Sequence, residues 1–137
     1  MISFLDPKSV HNPGPAYSHS VLVPAGSELV FLSGQVGLRP DGSASSSVGE
    51  QAEQVFVNIS ALLAAYGLGA SAIVKLTTFL VAGQDIKAVR AARSEFLGAH
   101  RPTSTLVYVS QLADPAWHVE VEAIAVRSAA QARESDA

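Results

Sequence analysis

Glu120 and Glu122, two carboxylates two residues apart, are the residues best placed by type and spacing to do chemistry. They interrupt an otherwise apolar run, Val119-Glu120-Val121-Glu122-Ala123-Ile124-Ala125-Val126, that alternates as a β-strand does. Successive strand side chains point to opposite faces, so the two glutamates share a face with His118, Ile124 and Val126. Two strand rises put their Cα atoms roughly 6.5–7 Å apart. In a partly dry cleft such carboxylates raise each other's pKa, so that one can hold a proton near neutrality. That suits general acid or base work on a water attacking an electrophilic carbon. The plainer alternative is that a glutamate anchors a backbone amide or pairs with Lys or Arg.

Other chemistries are thinly supported. His11, His19, His100 and His118 are scattered, and no pair has metal-ligand spacing. The absence of cysteine removes thiolate zinc sites, disulfides and cysteine nucleophiles, and fits a cytoplasmic protein. No glycine-rich phosphate cradle is present. No metal site is therefore expected.

Several elements must position the glutamates. Ser47-Val48-Gly49-Glu50 has the form of a capping box. Ala52, Val55, Phe56, Ile59, Leu62, Leu63 and Tyr66 then follow at helical spacing, with Gly67 as a stop. Asp85 caps a second helix running to about Leu97, with Ile86, Val89 and Phe96 inward and Gly98 beyond. Strands are expected at Tyr17–Val23, Glu28–Ser33 with a possible extension, Ala72–Val81, Ser104–Gln111 and Trp117–Arg127. Residues 1–16 read as an irregular lead-in, and 128–137 as a small polar tail that frays. The order is β-β-α-β-α-β-β, an α+β arrangement of one mixed sheet with two helices on one face. Thr105, Val107 and Val109 share one face of their strand, and Leu106 and Tyr108 the other. Both faces are largely apolar, so the sheet face without helices should be buried against another subunit.

The 137 residues make one domain, 1–128, followed by a flexible tail, 129–137. The chain is 48% hydrophobic and 15% charged, which also points to surface hidden in an oligomer. Nine Lys and Arg against twelve Asp and Glu give a net charge of −3. No strong attraction to nucleic acid or to an anionic membrane is expected. The start lacks a charged segment followed by an apolar one, so no signal peptide is expected, and no run is long enough for a membrane span.

Gly14-Pro15-Ala16-Tyr17-Ser18, Ser33-Gly34-Gln35, the helix at 51–67, Arg101 to Val109 and the closing Val119 to Val126 together resemble the Rid superfamily. Rid denotes reactive intermediate/imine deaminase, also called YjgF-like. The resemblance implies a chorismate-mutase-like fold and a homotrimer whose sheets form a central barrel with helices outside. It also implies small-molecule clefts between subunits. Enzymes of the family hydrolyse enamines and imines to a 2-oxo acid and ammonia without a cofactor. Tyr17 and Glu120 fall on the family's functional tyrosine and glutamate, which makes Glu120 the catalytic candidate. Tyr17, Ser104, Arg101 and Glu122 are the substrate-binding candidates. Active deaminases carry an arginine in a Pro-Ala-Arg-Ser segment that grips the substrate carboxylate. Aligned on Pro102, that position is Ser104. A charge-assisted hydrogen bond is worth roughly 1.5–3 kcal/mol, so losing the grip costs on the order of 10- to 100-fold in binding. Arg101, Arg90 or Arg93 could substitute. Two readings stay open: an imine or enamine hydrolase with altered substrate preference, or a non-catalytic ligand-binding or scaffold module of the same fold.

Overall fold

The computed structural model describes residues 1–136. Two strands, β1 (Ser3–Leu5) and β2 (Ser20–Leu22), pair antiparallel as a small separate sheet. The main sheet holds β3 (Glu28–Val36), β4 (Ile73–Val81), β5 (Thr103–Val109) and β6 (Val119–Arg127). Its order is β3-β6-β4-β5. β6 runs antiparallel to both neighbours, while β4 and β5 are parallel. Helix α1 (Val48–Ala64) links β3 to β4, and α2 (Ile86–Leu97) links β4 to β5. The fold is thus α+β with a mixed sheet, as the sequence indicates.

The helix ends follow from local chemistry. Ser47 Oγ accepts the Glu50 backbone N–H at 3.4 Å, and Asp85 Oδ1 accepts that of Lys87 at 2.9 Å. Past α1, Gly67 takes a φ of 72° and donates to Ala64 O, and Leu68 N donates back to Leu63 O. This is the paired C-terminal closure that glycine permits, and buried Leu68 seals it. Val55, Ile59 and Leu63 of α1 pack with Val89 and Leu97 of α2 over Val30, Leu76, Leu80, Val119, Val121, Ala123 and Ala125 of the sheet. Each fully buried side chain such as Ile59 or Leu63 contributes roughly 2 kcal/mol.

Three points differ from the sequence reading. The sheet is not single, because the lead-in contributes β1. A three-residue strand is too short to show a period. Tyr17 lies outside β2, held instead by the contacts described below. The tail carries a third helix, α3 (Ala129–Asp136). Ser128 Oγ accepts from Gln131 N at 3.1 Å, and Gln131 Oε1 accepts from Ser128 N at 2.8 Å. That reciprocal box has the same S-x-x-E/Q form as the one opening α1.

Candidate functional site

The alternation in β6 sends Val119, Val121, Ala123 and Ala125 into the core and leaves Glu120, Glu122 and Ile124 on the face without helices. Register extends this face sideways. Glu120 lies between Val36 of β3 and Phe79 of β4, and Glu122 beside Thr77. Phe79 and Thr77 are in turn level with Val107 and Thr105 of β5. Phe31 stands on the same face beside Ile124 and is 69% exposed.

Glu120 is half-buried because β3 makes room for it. The β3–β6 ladder slips between Leu32 and Gln35, and Gly34 sits in that bulge. A Cβ on Gly34 would lie 2.8 Å from Glu120 Cδ and 3.0 Å from Cγ, closer than carbon atoms pack. Only glycine lets the glutamate lie across the strand, which gives Ser33-Gly34-Gln35 a physical purpose. Among the described residues, neither Glu120 nor Glu122 has a hydrogen-bond or salt-bridge partner. Glu28 instead takes Arg127, at 2.8 Å. Glu120 is therefore oriented by packing, with its carboxylate oxygens free for a water or ligand.

The face also carries a cation that the sequence reading did not single out. Lys75 is opposite Ile124 and donates from Nζ to Thr105 Oγ1 at 2.7 Å. An isolated lysine in a β-branched strand gives no signal until register places it two residue pairs from Glu122, on the same face.

A second group gathers at the start of β5, the edge strand. Ser18, buried, forms a parallel bridge with Thr103. Its N–H donates to Pro102 O at 3.2 Å and its hydroxyl to Arg101 O at 2.5 Å. Arg101 Nη1 donates to Gly14 O at 3.1 Å. These bonds bring residues 14–18, Tyr17 included, beside Arg101. The Tyr17 ring meets His19 edge-on, centroids 5.6 Å apart. Arg101 lines a cleft of about 410 Å³ with Asp6, Lys8, Val10, Asn12 and Pro13.

The sequence-derived candidates thus divide in two. Tyr17, Arg101 and Ser104 assemble at the β5 edge, and Glu120 with Glu122 lies on the open face. Ser104 is level with Leu76, a core residue, and so shares the helix-side face of the sheet. Glu120 points the other way, with β4 between them. Arg90 and Arg93 ride on α2 in the helix layer, not on the face of Glu120. Burial, and then the neighbouring Arg90, hold the half-buried Arg93 guanidinium below its usual pKa.

Gln51, buried, and Asn58, half-buried, brace the site from behind. Gln51, fully buried, donates to Ser45 O at 2.7 Å and Ala116 O at 3.0 Å, and accepts His118 N at 2.8 Å. It ties the start of β6 to α1 and the serine-rich loop. Gly37 lets β3 run on against this residue, since a Cβ there would meet Gln51 Cα at 2.7 Å and its carbonyl oxygen at 2.8 Å. Asn58 donates to Val36 O at 3.3 Å and Leu38 O at 2.9 Å, fixing the strand on the other flank of Glu120. Gln51 looks like an ordinary polar helix residue in sequence, and only tertiary contacts reveal its role.

The histidines with defined partners hold the fold together. His100 Nε2 meets Ile73 O at 2.7 Å, with Phe4 packed on its ring, and His19 Nε2 meets His11 O at 2.5 Å. Among the described residues, no group of three or more His, Cys, Asp or Glu side chains could hold a metal ion, and no helix is long and apolar enough to cross a membrane.

Comparison with known proteins places this geometry. The family described as Endoribonuclease L-PSP matches residues 9–127. TdcF of Escherichia coli (strain K12), described as a reactive intermediate deaminase, is 34% identical over 105 residues, covering 74% of this chain and 81% of TdcF. Its crystal structure with bound serine matches 77% of this chain and 85% of its own at a TM-score of 0.69. The 2-iminobutanoate/2-iminopropanoate deaminase of Dermatophagoides farinae is 32% identical over 116 residues, 83% of this chain and 89% of its own. The Rid-family protein YyfB from Yersinia pestis shares the fold at a TM-score of 0.82 and 23% identity, covering 92% of this chain and 98% of its own. With the family matched over residues 9–127 and relatives 32–34% identical across most of its length, the chain belongs to the Rid, or YjgF-like, family.

Proposed function

We propose that this protein hydrolyses a small imine or enamine, with Glu120 managing the attacking water. One observation carries the reading: a half-buried carboxylate without a partner among the described residues, oriented by the glycine beneath it, on a face that mixes Phe31, Phe79, Val107 and Ile124 with Glu122 and Lys75. The carboxylate takes a proton from the water as its oxygen adds to the C=N carbon and passes that proton to the nitrogen, so the carbinolamine carries one hydroxyl and one amine. Collapse of the carbinolamine forms the C=O bond, breaks C–N and releases ammonia. Water and the imine supply every atom, so no cofactor is needed. Deaminase activity in the mite relative and bound serine in TdcF support a small polar substrate.

The reading includes a homotrimer. Leu29, Phe31 and Val107 are exposed on the open face, with Ile124 and Phe79 half-buried beside them. A neighbour whose β5 edge packs there would bring its Tyr17, Arg101 and Ser104 towards Glu120. Each cleft then draws on two chains. Ser104 offers one neutral hydroxyl where the family's deaminases carry arginine, so substrate preference is shifted. The RNA cleavage named in the family description is not favoured, because Glu120 and Glu122 would repel a phosphate backbone.

The test generates 2-imino acids in place with an amino-acid oxidase or a dehydratase and follows 2-oxo acid release. Acceleration by the wild type, lost by at least about 100-fold in Glu120→Gln, is expected for a general base. Equal rates with and without the protein, while a ligand still binds, would leave a binding module. RNA cleavage that disappears in Glu120→Gln would favour the nuclease.

A further inference from the structure

The cleft at Arg101 has more hydrogen-bond donors than the chain itself uses. Its walls come from the lead-in (Asp6, Lys8, Val10, Asn12, Pro13) and from Arg101 just before β5. Asp6 is the carboxylate among these residues, and its Oδ1 already accepts the His19 backbone N–H at 2.6 Å. Asn12 Oδ1 accepts the Gly14 N–H at 2.8 Å, which leaves the Asn12 amide N–H groups available. Arg101 directs Nη1 to Gly14 O, with further N–H donors of its planar fork uncommitted. Lys8 has no acceptor among the described residues. Two cations and an amide thus outweigh one carboxylate in a cleft of about 410 Å³, leaving it net positive. Such a set accepts an anion, and the guanidinium fork suits a planar carboxylate best.

We propose that this cleft binds the carboxylate of a small organic acid, with Arg101 as the main contact and Lys8 as a second charge. The assignment rests on the imine-hydrolysis reading for its substrate and on the cleft alone for its anion. Arg101 lies three residues before Ser104 on the same edge, and the Ser18–Thr103 bridge holds Tyr17 beside it. The positive charge missing at Ser104 is therefore supplied from the adjoining turn. Preference shifts towards acids whose carboxylate stands further from the reacting carbon. Both cations are exposed, so binding is weak and falls as salt rises.

Titrating the intact protein with 2-oxobutanoate and, separately, 2-oxoglutarate, while following backbone amide NMR shifts, tests this. Shifts at Lys8, Asn12 and Arg101, with affinity falling about 10-fold or more in Arg101→Gln, are expected for loss of a charge-assisted contact. Lys8→Gln should weaken binding less. Arg101→Lys keeps the charge but loses the fork, so an intermediate affinity is expected, and it serves if the glutamine variant folds poorly. Unchanged affinity in both Arg101 variants would overturn the proposal. Inorganic phosphate binding the same residues as tightly as either acid would also overturn it, since the cleft would then be a general anion site. Acid binding that depends on Arg101, without turnover of any imine, would sustain the cleft and sink the hydrolase reading instead.

Discussion

Replacing Gly34 with alanine tests whether Glu120 acts from the place where packing holds it. The new methyl would start 2.8 Å from Cδ and 3.0 Å from Cγ of Glu120. Unbonded carbons settle at about 3.5–4.0 Å, so the side chain must retreat by about 1 Å. The obstacle is the end of a flexible side chain, and an off-rotamer torsion costs only about 0.5–1.5 kcal/mol. Alanine also recovers about 0.5–1 kcal/mol that glycine loses in a strand. Net stability therefore changes by less than about 1 kcal/mol, and Tm by less than about 5 °C. Chemistry is less forgiving: misplacing a catalytic group by about 1 Å costs on the order of 100-fold. The expected result in the imine-hydrolysis assay is a kcat reduced about 100-fold with KM little changed, in a protein of near-normal Tm. Gly37→Ala is the matched control. Its methyl meets Gln51 main chain, which cannot rotate away, so about 1–3 kcal/mol of stability is lost while the folded fraction keeps its kcat. A Gly34→Ala enzyme with wild-type kcat would refute the claim that this seat positions the catalytic carboxylate.

Further outcomes follow from the same geometry. Gln51→Ala removes the partner of two carbonyls and one N–H at once, and should cost about 3 kcal/mol in urea unfolding; a loss below about 1 kcal/mol would mean that water replaces the side chain. Hydrogen bonds from the Ser43 hydroxyl and N–H hold the exposed Asp41 carboxyl below its usual pKa of 3.8, with Arg39 adding to the effect. The folded state then binds fewer protons than the unfolded one between the two pKa values. Asp41 thus adds a small stability present above about pH 3.8, lost as pH falls through the folded value and absent in Asp41→Asn; a carboxyl NMR titration centred at or above 3.8 would contradict this. Phe31→Asp places a charge on the exposed face through which the proposed trimer would pack, and should lower the sedimenting mass from trimer towards monomer; a trimer unchanged by the substitution would place the interface elsewhere, and a monomeric wild type would refute the trimer itself.

Much of the fold is legible because its signals are local. Ser47 and Asp85 before periodic apolar residues, and Gly67 and Gly98 after them, define α1 and α2 within a residue or a few. The alternation from Val119 to Val126 identifies β6 and says which residues share the face of Glu120. Even α3 has its signature in Ser128 and Gln131, although short polar segments offer little apolar period to support it. β1 left no comparable trace.

What the chain order cannot convey is which distant segments meet, because that depends on pairing across the sheet. Register alone places Ser104 on the helix side and Glu120 on the open side. Neither strand's own alternation says which of its faces lies inward relative to the other. The bulge that puts Gly34 beneath Glu120, the bridge that carries Tyr17 to Arg101, and two of the three bonds of Gln51 join residues far apart in sequence. Two glutamates on an apolar strand, and a serine two residues after Pro102, are determined by sequence. Tertiary structure decides which glutamate is held in place and where Arg101 stands, since both follow from long-range packing and not from any local preference.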